Sequence, residues 1–115
     1  MPDSDCIFCK IVAGEIPADI VAESDSAIAF RDISPQAPVH VLVIPREHHA
    51  TLAEMLAAGA DITGVFNLAT SVASAEGVAD SGYRLVVNTN ADANQTVFHL
   101  HVHVIGGRVM AWPPG

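Results

Sequence analysis

Basic residues are scarce in this chain. Its 115 residues include five lysines and arginines against thirteen aspartates and glutamates, a formal net charge of −8. Lys10, Arg31, Arg46, Arg84 and Arg108 are scattered and form no stripe, which argues against nucleic-acid binding by phosphate neutralisation. Long apolar runs are also missing, so no segment suits a bilayer span, and no membrane partner is expected. The opening "MPDSDC" has no basic stretch followed by an apolar one, which speaks against a secretory leader and for a cytoplasmic protein. Cysteine is limited to Cys6 and Cys9. Two so close together do not make a disulfide scaffold, and in a reducing compartment they are thiols or metal thiolates. Repeats, low-complexity tracts and linkers are absent, so residues 1–115 read as a single domain, with half the residues apolar to fill its core.

The remaining patterning is mixed α and β. "CIFCKIVAG" reads as a short helix stopped by Gly14, with Ile7, Phe8 and Ile11 on one side. "DIVAES" and "SAIAFRD" read as a hairpin around Ser24–Asp25, and "ISPQAP" as a loop. The β-branched run "VHVLVIP" reads as a central strand covered on both faces. Thr51 and Glu54 make a capping box before "LAEMLAA". Asp61 can cap a second helix, whose apolar residues recur at three-and-four spacing from Ile62 to Ala73. "YRLVVN" reads as a strand and "TNADAN" as a polar loop. The connections are short, which predicts an α+β fold with an antiparallel sheet.

The chemistry concentrates in "QTVFHLHVHVI". Phe98, Leu100, Val102 and Val104 alternate with His99, His101 and His103, which predicts a strand with three imidazoles on one face, roughly 6–7 Å apart. Packing does not favour such a row, because valine or threonine fills a strand better. Two chemical readings follow. The row can chelate a catalytic metal through three ligands. Alternatively, one neutral imidazole is a nucleophile toward phosphorus, and its neighbours donate to an anionic substrate. "C-x-x-C" alone is equally open. No βαβ unit follows it to suggest a thioredoxin-like site, and zinc needs two further ligands.

"HLHVHVI", together with "DCIFCKI", "GEIPADIV", "AFRDISPQAPVHVLVIPREH", "GYRLVVN", "FHLHVHVIGGR" and "WPPG", resembles the histidine triad (HIT) superfamily, and within it the nucleotide-binding (Hint) branch. The resemblance covers nearly the whole chain. It implies a HIT-like fold, a five-stranded antiparallel sheet with two main helices, continued into ten strands across a homodimer. It also implies a hydrolase of purine nucleoside 5′-phosphoramidates that releases the nucleoside monophosphate through a nucleotidyl-histidine. By the same resemblance His101 is the nucleophile, with Nδ1–H held by a backbone carbonyl. His103 donates to the phosphate, His99 completes the triad, and Thr96 contacts the phosphate or the leaving group. Asn88 and Gln95 are substrate contacts. Asp32 binds the ribose hydroxyls, and Ile7, Phe8, Ile11, Ile16, Phe30, Ile33 and Leu42 line the base pocket. His40 supports the triad, and Trp112 reaches the partner's active site. Cys6, Cys9, His48 and His99 match a structural zinc site of some members, with no cofactor required for catalysis. His49 has no role and reads as solvated.

Three positions depart from the branch. Thr96 stands where serine is common, Asn94 where glycine is common, and Arg31 where histidine is frequent. The spelling "QTV" also occurs among dinucleoside polyphosphate hydrolases, and that activity stays open. So does a nucleotide-binding regulator with incidental activity, and so does a metallohydrolase using all three histidines.

Overall fold

The computed structural model describes residues 3–115. In chain order the elements are α1 (Ile7–Val12), β1 (Ile20–Glu23), β2 (Ala27–Arg31), β3 (Val39–Pro45), α2 (Leu52–Ala57), α3 (Thr63–Ala75), β4 (Tyr83–Val87) and β5 (Val102–Gly106). The strands form one antiparallel sheet in the order β1-β2-β3-β5-β4. Among the described residues no helix is long and apolar enough to cross a membrane.

Alternation along β2, β3 and β5 sends side chains to two different cores. Ala27, Ala29, Val41, Val43, Val102 and Val104 face α3, where Val65, Ala69, Val72 and Ala73 close the larger core. The opposite sides of β2 and β3 present Ile28, Phe30, Leu42 and Ile44, which pack with Phe8 and Ile11 of α1. The central strand β3 is therefore buried almost throughout, as its continuous apolar run predicts. Gly106 closes β5 where a Cβ would stand 3.0 Å from Val78, and Gly107 turns the chain with φ +87°.

The helix signals work locally. Cys6 Sγ accepts from Cys9 N–H at 3.3 Å at the start of α1. Thr51 Oγ1 accepts from Glu54 N–H at 3.1 Å at the start of α2. Asp61 Oδ1 accepts from Thr63 N–H at 2.9 Å, so the turn before α3 is an Asx turn two residues upstream of the helix. Among the described residues the α-helices are short α1 and α2, of 6 residues each, and α3, of 13.

The histidine segment differs more. β5 begins at Val102, and residues 97–101 are bent or irregular rather than paired. The alternation of residue types in the sequence persists beyond the hydrogen-bonded ladder, so periodicity alone extends the strand too far. His99 and Leu100 are consecutive yet both buried, whereas Phe98 is 49% exposed.

Thr51→Ala removes a buried N-cap, and should destabilise the chain by about 1 kcal/mol. Urea denaturation should show a lower midpoint with an unchanged slope.

Candidate active site and cysteine–histidine cluster

The α1 side of the sheet carries two linked groups of polar side chains. The first gathers Cys6 and Cys9 at the start of α1, His48 just after β3, and His99 just before β5. His99 Nδ1 lies 3.4 Å from Cys6 Sγ, 3.5 Å from Cys9 Sγ and 3.2 Å from His48 Nδ1. Cys9 Sγ lies 3.2 Å from His48 Nδ1. All four potential ligand atoms fall within 4.8 Å of one another. Tetrahedral zinc with bonds of about 2.0–2.3 Å separates its ligands by roughly 3.3–3.8 Å, so the spacing fits a Cys₂His₂ ion.

The hydrogen bonds agree with that fit. His99 Nε2 lies 2.8 Å from the Pro45 carbonyl, so this nitrogen carries the proton and Nδ1 turns a lone pair toward the sulfurs. Burial pushes the His99 pKa down to about 4, opposed by the Pro45 hydrogen bond. The ring is neutral, as a ligand must be. Burial also pushes the Cys6 thiol up, a shift that a bound dication would reverse.

The second group contains His101, His103, His40 and Asp32. His101 is buried, and its Nδ1 donates to the His99 carbonyl at 2.8 Å. The proton is thereby assigned to Nδ1, and Nε2 keeps its lone pair. The His101 and His103 rings are 5.0 Å apart between centroids. Phe8 presents an edge contact to His101 at 5.3 Å and to His99 at 6.0 Å.

His40 and His103 form an ordered donor chain. Gln36 N–H donates to His40 Nδ1 at 3.0 Å. His40 must then carry its proton on Nε2, which lies 2.9 Å from His103 Nδ1 and 3.4 Å from Asp32 Oδ2. That contact makes His103 Nδ1 an acceptor and puts its proton on Nε2. His103 Nε2 is buried without a hydrogen-bond partner among the described residues. Asp32, His40 and His103 also lie close enough to hold an ion. The Gln36 N–H aimed at His40 Nδ1 opposes this, because metallation at Nε2 would put a second proton in its path. An unpaired buried donor is costly, and an incoming anion satisfies it.

Around these groups the predicted substrate residues divide. Phe8, Ile11, Phe30 and Leu42 are buried in the core beneath α1, with Ile16 packed at its margin. Ile28 and Ile44 belong to the same cluster; in the sequence they read as ordinary strand residues, and nothing there marks them as part of the site. Ile7 is 49% exposed, Ile33 is 99% exposed and Trp112 is 82% exposed, so none of these three is packed in the single chain. Asn88 follows the end of β4 and is half-buried, and Thr96 is exposed on the loop ahead of the triad.

Two residues take structural parts. Gln95 is buried, and its amide is fully engaged with backbone: Nε2 donates to Ala50 and Val97 carbonyls at 2.8 and 3.1 Å, and Oε1 accepts from Asn90 N–H at 2.9 Å. Its side chain holds the loop through these bonds. The His49 side chain is only 10% exposed and lies 2.9 Å from Glu47, so it is not solvated. Its carbonyl accepts from Leu100 N–H at 2.6 Å.

Comparison with known proteins gives a consistent result. A family model described as HIT domain matches residues 13–110. A purine nucleoside phosphoramidase of Escherichia coli is 47% identical over 103 residues, covering 89% of this chain and 87% of that protein. An adenylylsulfatase of Arabidopsis thaliana is 47% identical over 116 residues, covering 98% of this chain and 78% of that protein. The crystal structure of a HIT family hydrolase from Legionella pneumophila superposes with a TM-score of 0.86 at 47% identity, over 96% of this chain and 99% of that one.

The histidine environment predicts a pH response. Burial depresses His103 to about 4, reinforced by neighbouring His101 and His40 and opposed by Asp32; burial also lowers His40, again opposed by Asp32. The unfolded chain binds these protons near pH 6.5 and the folded chain does not. Their contribution is complete above about pH 6.5 and is lost as pH falls toward about 4. Thermal melts across that window should show a falling Tm. His103→Gln should make the decline shallower, and an unchanged decline would assign it to other groups.

Proposed function

The chain belongs to the HIT domain family, and on that premise we propose that it is a nucleotidyl hydrolase cleaving purine nucleoside 5′-phosphoramidates. The observation that carries this reading is the 2.8 Å hydrogen bond from His101 Nδ1 to the His99 carbonyl. It leaves Nε2 unprotonated, as a nitrogen nucleophile must be. In the first half-reaction Nε2 attacks the α-phosphorus, a bond forms from phosphorus to His101, and the phosphorus–nitrogen bond to the leaving amine breaks. The amine departs after taking one proton from solvent, which the attacking water replaces in the second half-reaction. Water then attacks phosphorus, gives up one proton, and displaces His101 to release the nucleoside monophosphate.

The other residues position and stabilise. His103 Nε2–H donates to a phosphate oxygen, and its orientation comes from His40 and the Gln36 backbone. Asp32 receives the ribose hydroxyls, while Phe8 and Phe30, in edge contact at 5.4 Å, form the floor beneath the base. Asn88 and Thr96 stand at the rim, toward phosphate and leaving group. Transition-state charge is met by neutral donors, which suits a site in a chain of net charge −8. The purine nucleoside phosphoramidase among the relatives supports this substrate class.

Thr96 keeps a second reading in view, a dinucleoside polyphosphate hydrolase, because the spelling "QTV" is shared with that branch. Turnover of adenosine 5′-phosphoramidate should exceed that of diadenosine polyphosphates; the reverse ranking would favour the second reading. His101→Asn should lower turnover by at least about 10³-fold while nucleoside monophosphate still binds and the fold survives. Full activity in that variant would sink covalent catalysis.

Cys6, Cys9, His48 and His99 hold zinc in this reading. The ion ties α1 to the segments after β3 and before β5 and takes no part in the reaction. Elemental analysis should find about one zinc per chain, and a strong chelator should lower Tm by several degrees. A homodimer completes the proposal, with the protein acting in the cytoplasm as one domain. The edge strand β4 is half-buried along its length, and exposed Val109 and Trp112 offer a second copy apolar surface to cover.

A further inference from the structure

We propose that His99 is a positioning residue that links occupancy of the cysteine–histidine cluster to the tautomer of His101. The inference rests on zinc in the cluster and on His101 as nucleophile. Its basis is one peptide unit. The His99 carbonyl accepts the His101 Nδ1 proton at 2.8 Å, and the N–H of the same peptide, on Leu100, donates to the His49 carbonyl at 2.6 Å. The plane that selects which nitrogen of His101 is free is thus held from one side by the neighbour of ligand His48. On the other side it is continuous with ligand His99.

The His99 ring is fully buried and gripped at both nitrogens, by Pro45 through Nε2 and by the cluster through Nδ1. With the cluster filled, ring and backbone are fixed together. With it empty, the grip at Nδ1 falls back on the 3.4 and 3.5 Å contacts with the Cys6 and Cys9 sulfurs. The two backbone segments that carry His48 and His99 are then joined by hydrogen bonds alone, from Leu100 N–H to His49, from His99 Nε2 to Pro45 and from Gln95 Nε2 to Ala50. The ladder offers no substitute, because His99 lies outside β5. α1 adds a second line of support: Phe8, between Cys6 and Cys9 in sequence, places its ring edge against both His99 and His101. A His99 carbonyl free to tilt releases the Nδ1 proton. His101 then also populates the tautomer protonated at Nε2, which has no lone pair for phosphorus. This coupling is an equilibrium property of the chain and acts on the chemical step more than on nucleotide binding.

Nitrogen-15 histidine labelling with long-range proton–nitrogen correlation reads the tautomer directly. In the zinc-loaded protein His101 should appear as the Nδ1–H form. After chelation, with the fold verified by circular dichroism, a second His101 population protonated at Nε2 should appear. kcat for an adenosine phosphoramidate should fall about tenfold, KM should change less than about twofold, and zinc should restore both signals. If chelation unfolds the chain, exchange of zinc for the larger cadmium ion reads the same link in a folded protein. The His99 and His101 resonances should then shift together and kcat should fall several-fold. Zinc binding with a His101 spectrum and kcat indifferent to chelation, or a cadmium shift confined to His99, overturns the coupling alone. A protein that retains no zinc overturns both the coupling and the zinc reading.

Discussion

A single hydrogen bond, from His101 Nδ1 to the carbonyl of His99, is the constraint on which the rest of the site depends. An imidazole has two nitrogens and one proton when neutral, and its chemistry is decided by which nitrogen is bare. A carboxylate in place of that carbonyl would also orient the ring, but would stabilise its charged form. A peptide carbonyl orients it while adding no charge. The surrounding architecture serves that choice: β5 starts one residue later, Phe8 of α1 sets its ring against His101, and buried His99 and Leu100 anchor the segment before it.

Neutrality extends through the neighbouring histidines. Burial holds His103 and His99 near pKa 4 and lowers His40, so a region with four imidazoles carries no positive charge at neutral pH from these three. Attraction of a nucleotide therefore depends on aligned N–H dipoles at short range and not on a long-range field. The Gln36–His40–His103 chain is directional, because each acceptor nitrogen determines the protonation of the next ring. It delivers a donor to the surface of the site without a cation, which matters in a strongly acidic protein.

Much of this is legible in the sequence, and the reasons differ between elements. The β3 run and the α3 periodicity specify buried faces directly, and both elements form where expected. Cys6, Cys9, His48 and His99 lie up to 93 residues apart. Only family likeness connects them in one dimension; the sheet brings them together in space. The end of the last strand is clear from Gly106 and Gly107, but its start is not. Residue types alternate through the irregular segment as well as through the ladder, and pairing depends on partners elsewhere in the chain. Gln95 has a structural part that stays hidden for a related reason. A polar residue beside Thr96 reads as a substrate contact, and the inward hydrogen bonds of its amide are visible only in the fold. The engagement of His49 with Glu47 and Leu100 is equally a product of folding.

That inward amide has an evolutionary consequence. Gln95 alone joins Asn90, Ala50 and Val97, so the loop keeps its shape without help from the exposed side chains on either side of it. Asn94, with φ +62°, sits where glycine or asparagine is tolerated. Position 96 presents its side chain from a frame that does not depend on it. Substitutions at position 96 can then accumulate while the loop around Gln95 keeps its frame.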